Sequence, residues 1–207
     1  MTRERFIAAS TLLMVAARSA DVAVTYRFSP GLTFEGNPMV MFCGMGWPFL
    51  LTVNVAAILA TIFCSIYWWL KPLQYEASPE VRDVWTFASF ACFRRVYSPT
   101  DFIIRRLVSH PQGWKHTLHF LGVVLPPTFI VISASAVFSW YAMYYYHWEL
   151  FCQFYRATWP VFPYALTIPT VWISAAIFYR NEYECYRAAH ALPEPAPLAM
   201  VPVTVAR

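Results

Sequence analysis

Apolar runs of membrane-crossing length alternate with short polar stretches along the chain, and the alternation predicts four spans. Residues 6–27 (FIAASTLLMVAARSADVAVTYR) make the first; at 1.5 Å per residue they cover roughly 33 Å, enough to traverse the hydrocarbon core. The run from Pro38 to Leu70 is too long for one upright crossing. Gly44, Gly46 and Pro48 interrupt it, which predicts a short interfacial or re-entrant piece at 38–46 and a second span at 48–70, closed by a Tyr67, Trp68, Trp69 belt. The third span is predicted at 119–141, kinked where Pro126 and Pro127 each remove a backbone donor, with Ser135 and Ser139 as a small-residue packing stripe. An aromatic belt follows at 143–148, and the fourth span is predicted at 159–179.

The expected fold class is therefore an all-α integral membrane protein, with residues 1–190 as one transmembrane helical domain. Residues 191–207, rich in proline, are expected to form a flexible tail. A cleaved signal peptide ending at Ser19 is the competing reading of the N-terminus. It is disfavoured because Arg18 would fall inside the cleavage site and apolar character resumes at Val22.

Residues 71–115 are the one sizeable polar region, and two helix starts repeat in it. Ser78-Pro79-Glu80 and Ser98-Pro99-Thr100-Asp101 each offer an N-cap, a proline at the first helical position and an acid in the first turn. They predict amphipathic interfacial helices at about 79–95 and 99–109. The first sets Val81, Val84, Trp85 and Ala88 against Arg82, Asp83 and Ser89; the second sets Ile103, Ile104, Leu107 and Val108 against Arg105 and Arg106.

Composition agrees with this pattern. The chain is 59% hydrophobic, and its charged fraction of 13% is about half that of a soluble domain. The position of the charges says more than their sum of +4. Arg3 and Arg5 precede the first span, Lys71, Arg82, Arg94, Arg95, Arg105, Arg106 and Lys115 fill the middle loop, and Arg180, Arg187 and Arg207 follow the last. The opposite loops hold only Arg27 and Arg156, so the positive-inside rule predicts both termini on the cytoplasmic face of a bacterial inner membrane. Basic residues that flank spans argue against nucleic acid and for anionic lipid headgroups as partners.

The candidate chemistry concentrates between Arg18 and Pro38. Arg18 and Asp21 lie about 18 and 22 Å into the first span, where ionisable groups are costly and mark functional candidates. Thr25 lies one turn beyond Asp21 on the same helix face, while Glu35 and Asn37 lead into the next helix from the outer side. With His147, Glu149 and Arg156 of the other outer loop they could form an outer-mouth site for a hard cation, a proton-transfer pair or an anionic headgroup. Equally, Arg18 and Asp21 can pair within their own helix and serve as a structural staple, the reading favoured here because no complete ligand or catalytic set is visible. Asp21, Thr25, Gly31, Glu35, Asn37 and Pro38 also resemble the Asp…Thr…Gly…Glu-x-Asn-Pro signature of small bacterial and archaeal membrane proteins grouped as a domain of unknown function. The resemblance covers residues 21–38; it implies a shared fold of the first two spans and no activity.

His116 and His119 have a spacing compatible with two ligands on one helix face, but no histidine lies in the other spans to complete a b-type haem site; the interfacial reading is preferred, with no metal and no cofactor expected. Cys43 and Cys152 both fall on the outer side, where a disulfide is possible. Phosphate loops, nucleophile elbows and metalloprotease motifs are missing from the sequence. The reading that follows is a membrane-embedded accessory or assembly subunit, holding a protein partner through its cytoplasmic platform. The alternative is a small membrane enzyme or ion- or proton-linked protein using Asp21 and Glu35.

Overall fold

In the computed structural model of the chain, residues 3–32, 40, 44–108, 113–158 and 165–190 are described, those at 3 and 106–108 by their backbone alone. The described elements are helical: α1 (Arg3–Phe28), α2 (Trp47–Leu70), α3 (Val84–Phe93), α4 (Pro99–Val108), α5 (Trp114–Trp140) continuing into a π-helical turn (Tyr141–Tyr145), α6 (Glu149–Thr158) and α7 (Thr167–Ala189). Three helical stretches, Glu4–Phe28, Trp47–Leu70 and Trp114–Tyr145, are long and apolar enough to cross a membrane. The chain is thus a helical, multi-pass membrane protein. Leu12, Leu13, Leu59 and Phe63 are each more than half exposed on these helices, an arrangement that suits a lipid solvent and not water.

Two compact units form: Met1–Leu73 with Gly113–Phe178, and Gln74–Gln112 with Tyr179–Arg207. In the first, α1 and α2 both pack on α5. α2 and α5 lie close together at Gly122, where an added Cβ would lie 2.5 Å from the Cys64 carbonyl oxygen. α5 runs unbroken through Pro126 and Pro127. Proline at 126 cannot donate to the Gly122 carbonyl four residues back, and the Ser65 hydroxyl of α2 donates to that oxygen instead, at 2.8 Å. Backbone acceptors in a bilayer need such substitutes, because no water is present to take them. Of the expected belt, Trp68 is buried and edge-on to Phe6 of α1, whereas Trp69 is exposed.

The chain leaves α1 through a turn at Pro30–Gly31, with Leu32 in the left-handed region (φ 57°). The indole of Trp47 then donates to the Pro30 carbonyl at 2.7 Å, tying the start of α2 to the end of α1. Of the piece expected at 38–46, only Val40 and residues 44–46 are among the described residues, and the tail at 191–207 lies outside them.

The second unit departs from expectation in two ways. Its first helix starts at Val84, not at 79: Ser78 yields only a turn, closed by Val81 N–H to the Ser78 carbonyl at 3.2 Å. The capping box belongs to Asp83 and Thr86, with Thr86 N–H donating to Asp83 Oδ1 at 2.8 Å and Asp83 N–H to Thr86 Oγ1 at 3.0 Å. A helix begun at 79 would need Thr86 N–H for the Arg82 carbonyl; that N–H goes to Asp83 Oδ1, and the Tyr183 hydroxyl donates to the carbonyl at 2.8 Å. Nor does α3 present a polar face: positions 87 to 92 are buried consecutively, and Ser89, assigned to the polar side, is fully buried and donates to the Arg95 carbonyl at 2.9 Å. A short helix apolar all round is a core helix. α4 begins as expected, with Asp101 N–H donating to Ser98 Oγ at 3.2 Å.

α7 extends to Ala189, past the expected end at 179, while 159–164 of the expected span lie outside the described residues. Its second half carries Tyr179, Tyr183 and Tyr186 at one-face spacing, and these rings pack the second unit. Tyr186 Oη accepts from Ser78 N–H at 2.9 Å, Tyr179 Oη lies 3.0 Å from Cys92 Sγ, and His190 Nε2 lies 2.9 Å from the Tyr75 carbonyl.

Candidate functional site

The ionisable pair of the first helix lies at the heart of the first unit. Arg18 Nη1 donates to Asp21 Oδ2 at 3.1 Å and to Ser133 Oγ of α5 at 3.2 Å, and Nη2 donates to Asn54 Oδ1 of α2. The guanidinium also lies over the Phe129 ring, 5.4 Å from its centroid. Arg18 and Asp21 side chains are each 15% exposed, while Asn54 and Ser133 are buried. Asn54 in turn donates through Nδ2 to the Leu50 carbonyl at 2.8 Å, which holds its amide in place. One turn further along α1, Thr25 is buried and its hydroxyl accepts from Trp140 Nε1 of α5 at 3.2 Å.

This arrangement has a definite chemistry. A guanidinium cannot release its proton, so Asp21 is the cluster's one carboxylate against a fixed cation. The neutral pair is cheaper to bury than either charge alone, and the side-chain amide and hydroxyl occupy donors that would otherwise face hydrocarbon. The result links α1, α2 and α5 through one side chain. The sequence identifies the Arg18–Asp21 pair, but Asn54 and Ser133 were missed because each looks like an isolated polar residue until the helices are packed. Glu35 and Asn37, the other half of the expected outer-mouth cluster, lie outside the described residues.

Among the platform residues, Arg94 terminates α3 in the left-handed conformation (φ 57°), with its guanidinium 5.9 Å from the Phe90 ring centroid. Arg105 lies over Tyr97 at 4.4 Å. Arg94, Arg95 and Arg105 are exposed, as are Ile103 and Ile104 beside Arg105; the side chain of Arg106 is outside the described residues.

His116 and His119, read as interfacial, are buried. The His119 ring is edge-on to Tyr67 at 5.4 Å and that of His116 edge-on to Phe178 at 5.7 Å, so the two serve different packing contacts. No group of three or more His, Cys, Asp or Glu among the described residues could hold a metal ion. Cys152 is half-buried on α6, and its expected disulfide partner Cys43 lies outside the described residues.

A further feature lies where α5 ends, and it draws on the expected aromatic belt and on the outer-loop residues His147 and Glu149. The Tyr141–Tyr145 π turn, the left-handed His147 (φ 47°) and the start of α6 border an open cavity of about 520 Å³. No protein-family model matches the chain, and neither a curated protein nor a solved structure matches it.

Proposed function

We propose that the chain is a membrane-embedded accessory or assembly subunit of a bacterial inner membrane, anchored by its helices and holding a protein partner through the basic surface of its second unit. The observation that carries this reading is the contrast between its charges. The arginine at membrane depth is engaged by Asp21, Asn54 and Ser133, whereas Arg94, Arg95 and Arg105 are exposed, Arg105 directly after the exposed Ile103 and Ile104. Exposed arginine beside exposed aliphatic side chains is the composition of an interface, and it also suits anionic headgroups.

The proposal includes four spans with both termini on the cytoplasmic side and α4 at the interface. Support for the fourth crossing comes from the ends of α5. Phe151 of α6 packs edge-on to Phe138 at 5.4 Å near one end, and Phe178 of α7 packs against His116 and Phe120 near the other, at 5.7 Å each. Residues 116 and 138 are roughly 33 Å apart along a helix, a bilayer's thickness, and contacts of Phe151 and Phe178 at its two ends support a return crossing. The signature at residues 21–38 is proposed to mark a shared fold of the first two spans.

The test is retention of the tagged chain from native nanodiscs, with mass spectrometry of what accompanies it. A stoichiometric partner is expected from the native chain and lost from Arg94→Glu/Arg105→Glu. A membrane complex that survives the double change intact refutes docking through this surface.

A further inference from the structure

The cavity at the end of α5 has a chemistry of its own. Its wall is aromatic, with Phe138, Tyr141, Tyr146 and Trp148, and its polar members are His147 and Glu149. No lysine or arginine lines it. Glu149 opens α6 and makes no ion pair with a described residue, so its carboxylate brings negative charge to the rim. Aromatic faces carry negative potential at their centres, and a cation over several of them near a carboxylate is attracted by both.

The backbone builds this wall deliberately. The π turn closes with Tyr146 N–H to the Tyr141 carbonyl at 3.0 Å, and the left-handed His147 then lets Trp148 N–H reach the Ala142 carbonyl at 3.0 Å. That ring is one residue longer than the usual helix-terminating one, and the extra residue turns the chain so that 146 to 149 face Phe138 and Tyr141. Tyr146 and Trp148 are 71% and 50% exposed, so the cavity is reachable from outside the protein.

From this geometry we infer a binding site for an alkylammonium cation, held over the Tyr141, Tyr146 and Trp148 rings and neutralised by Glu149. At about 520 Å³ the cavity has room for a trimethylammonium group and the start of its chain. Such a group occurs both in free small cations and in the headgroups of zwitterionic lipids.

The experiment is calorimetric titration of choline chloride into the full chain in phosphatidylglycerol nanodiscs. A parallel titration uses the uncharged isostere in which a tert-butyl group replaces trimethylammonium. Saturable binding of choline and none of the isostere is expected, with Glu149→Gln and Tyr146→Leu each weakening choline by about tenfold. Equal binding of charged and uncharged probes, or no saturable choline binding by the native chain, overturns the site. In phosphatidylcholine nanodiscs, weakened choline binding assigns the site to a lipid headgroup; unchanged binding assigns it to a free cation.

Discussion

The Ser65 hydroxyl donates at 2.8 Å to the Gly122 carbonyl, the acceptor that Pro126 leaves without its ladder partner. One helix thus repairs the backbone of another. Ser65→Ala is expected to cost about 1 kcal/mol in thermal unfolding of the detergent-solubilised chain. Adding Pro126→Ala, which returns an N–H to the ladder, should recover most of that loss. No recovery in the double variant would mean that the hydroxyl contributes through packing alone.

Gly122→Ala tests the same crossing from the steric side. A Cβ 2.5 Å from the Cys64 oxygen meets backbone, which cannot rotate away, so the helices must separate. A loss of about 1–3 kcal/mol in unfolding stability is expected. A variant as stable as the native chain would show that α2 and α5 do not approach this closely.

Arg18→Leu removes the cation that Asp21, Asn54 and Ser133 share, leaving a carboxylate at membrane depth. A loss of about 3 kcal/mol is expected, seen as poor accumulation and early unfolding. Arg18→Leu/Asp21→Leu should be less damaging than the single change, because it leaves no unpaired charge. If the two variants are equally damaged, the pair is not the unit that matters.

Asp83→Ala is expected to weaken the second unit by about 1 kcal/mol, since it removes one half of the capping box. Hydrogen exchange should quicken over 84–93 while α1, α2 and α5 keep their protection.

Burial pushes the Tyr183 phenol above the ordinary tyrosine range, Arg187 draws it down, and Asp83 and Tyr186 add to the rise. The folded chain therefore keeps this proton at a pH where the unfolded chain releases it. The resulting stability is fully present below about pH 10 and is lost as pH rises through the folded-state value. Backbone exchange of the second unit should increase above that pH, and Tyr183→Phe, which loses the bond to the Arg82 carbonyl, should be weaker in neutral solution but flatter in its alkaline response. An unchanged alkaline slope would assign the effect to another group.

The three long apolar helices were legible because each is a run of membrane-crossing length, and the Arg18–Asp21 pair because both members lie on one helix. Their partners Asn54 and Ser133 were not, since spacing along a helix does not fix how helices are rotated against each other. The start of α3 was misplaced because Ser78-Pro79-Glu80 carries a cap pattern as good as Asp83-Val84-Trp85-Thr86; the choice is made by Tyr183 and Tyr186, 101 and 108 residues away. α6 went unseen for a different reason: its ten residues follow an aromatic run that reads as a belt, and the left-handed His147 that separates them has no glycine to announce it.

The tyrosines of α7 set an order on how the protein can be made. Residues 75 to 92 take hydroxyl and imidazole partners from 179 to 190, so they emerge from the ribosome roughly a hundred residues ahead of the side chains that complete them. While the third long helix is being inserted, that early segment must wait for them. A chain truncated before 179 would keep its three long apolar helices yet never finish this unit, which closes only once the second half of α7 has been made.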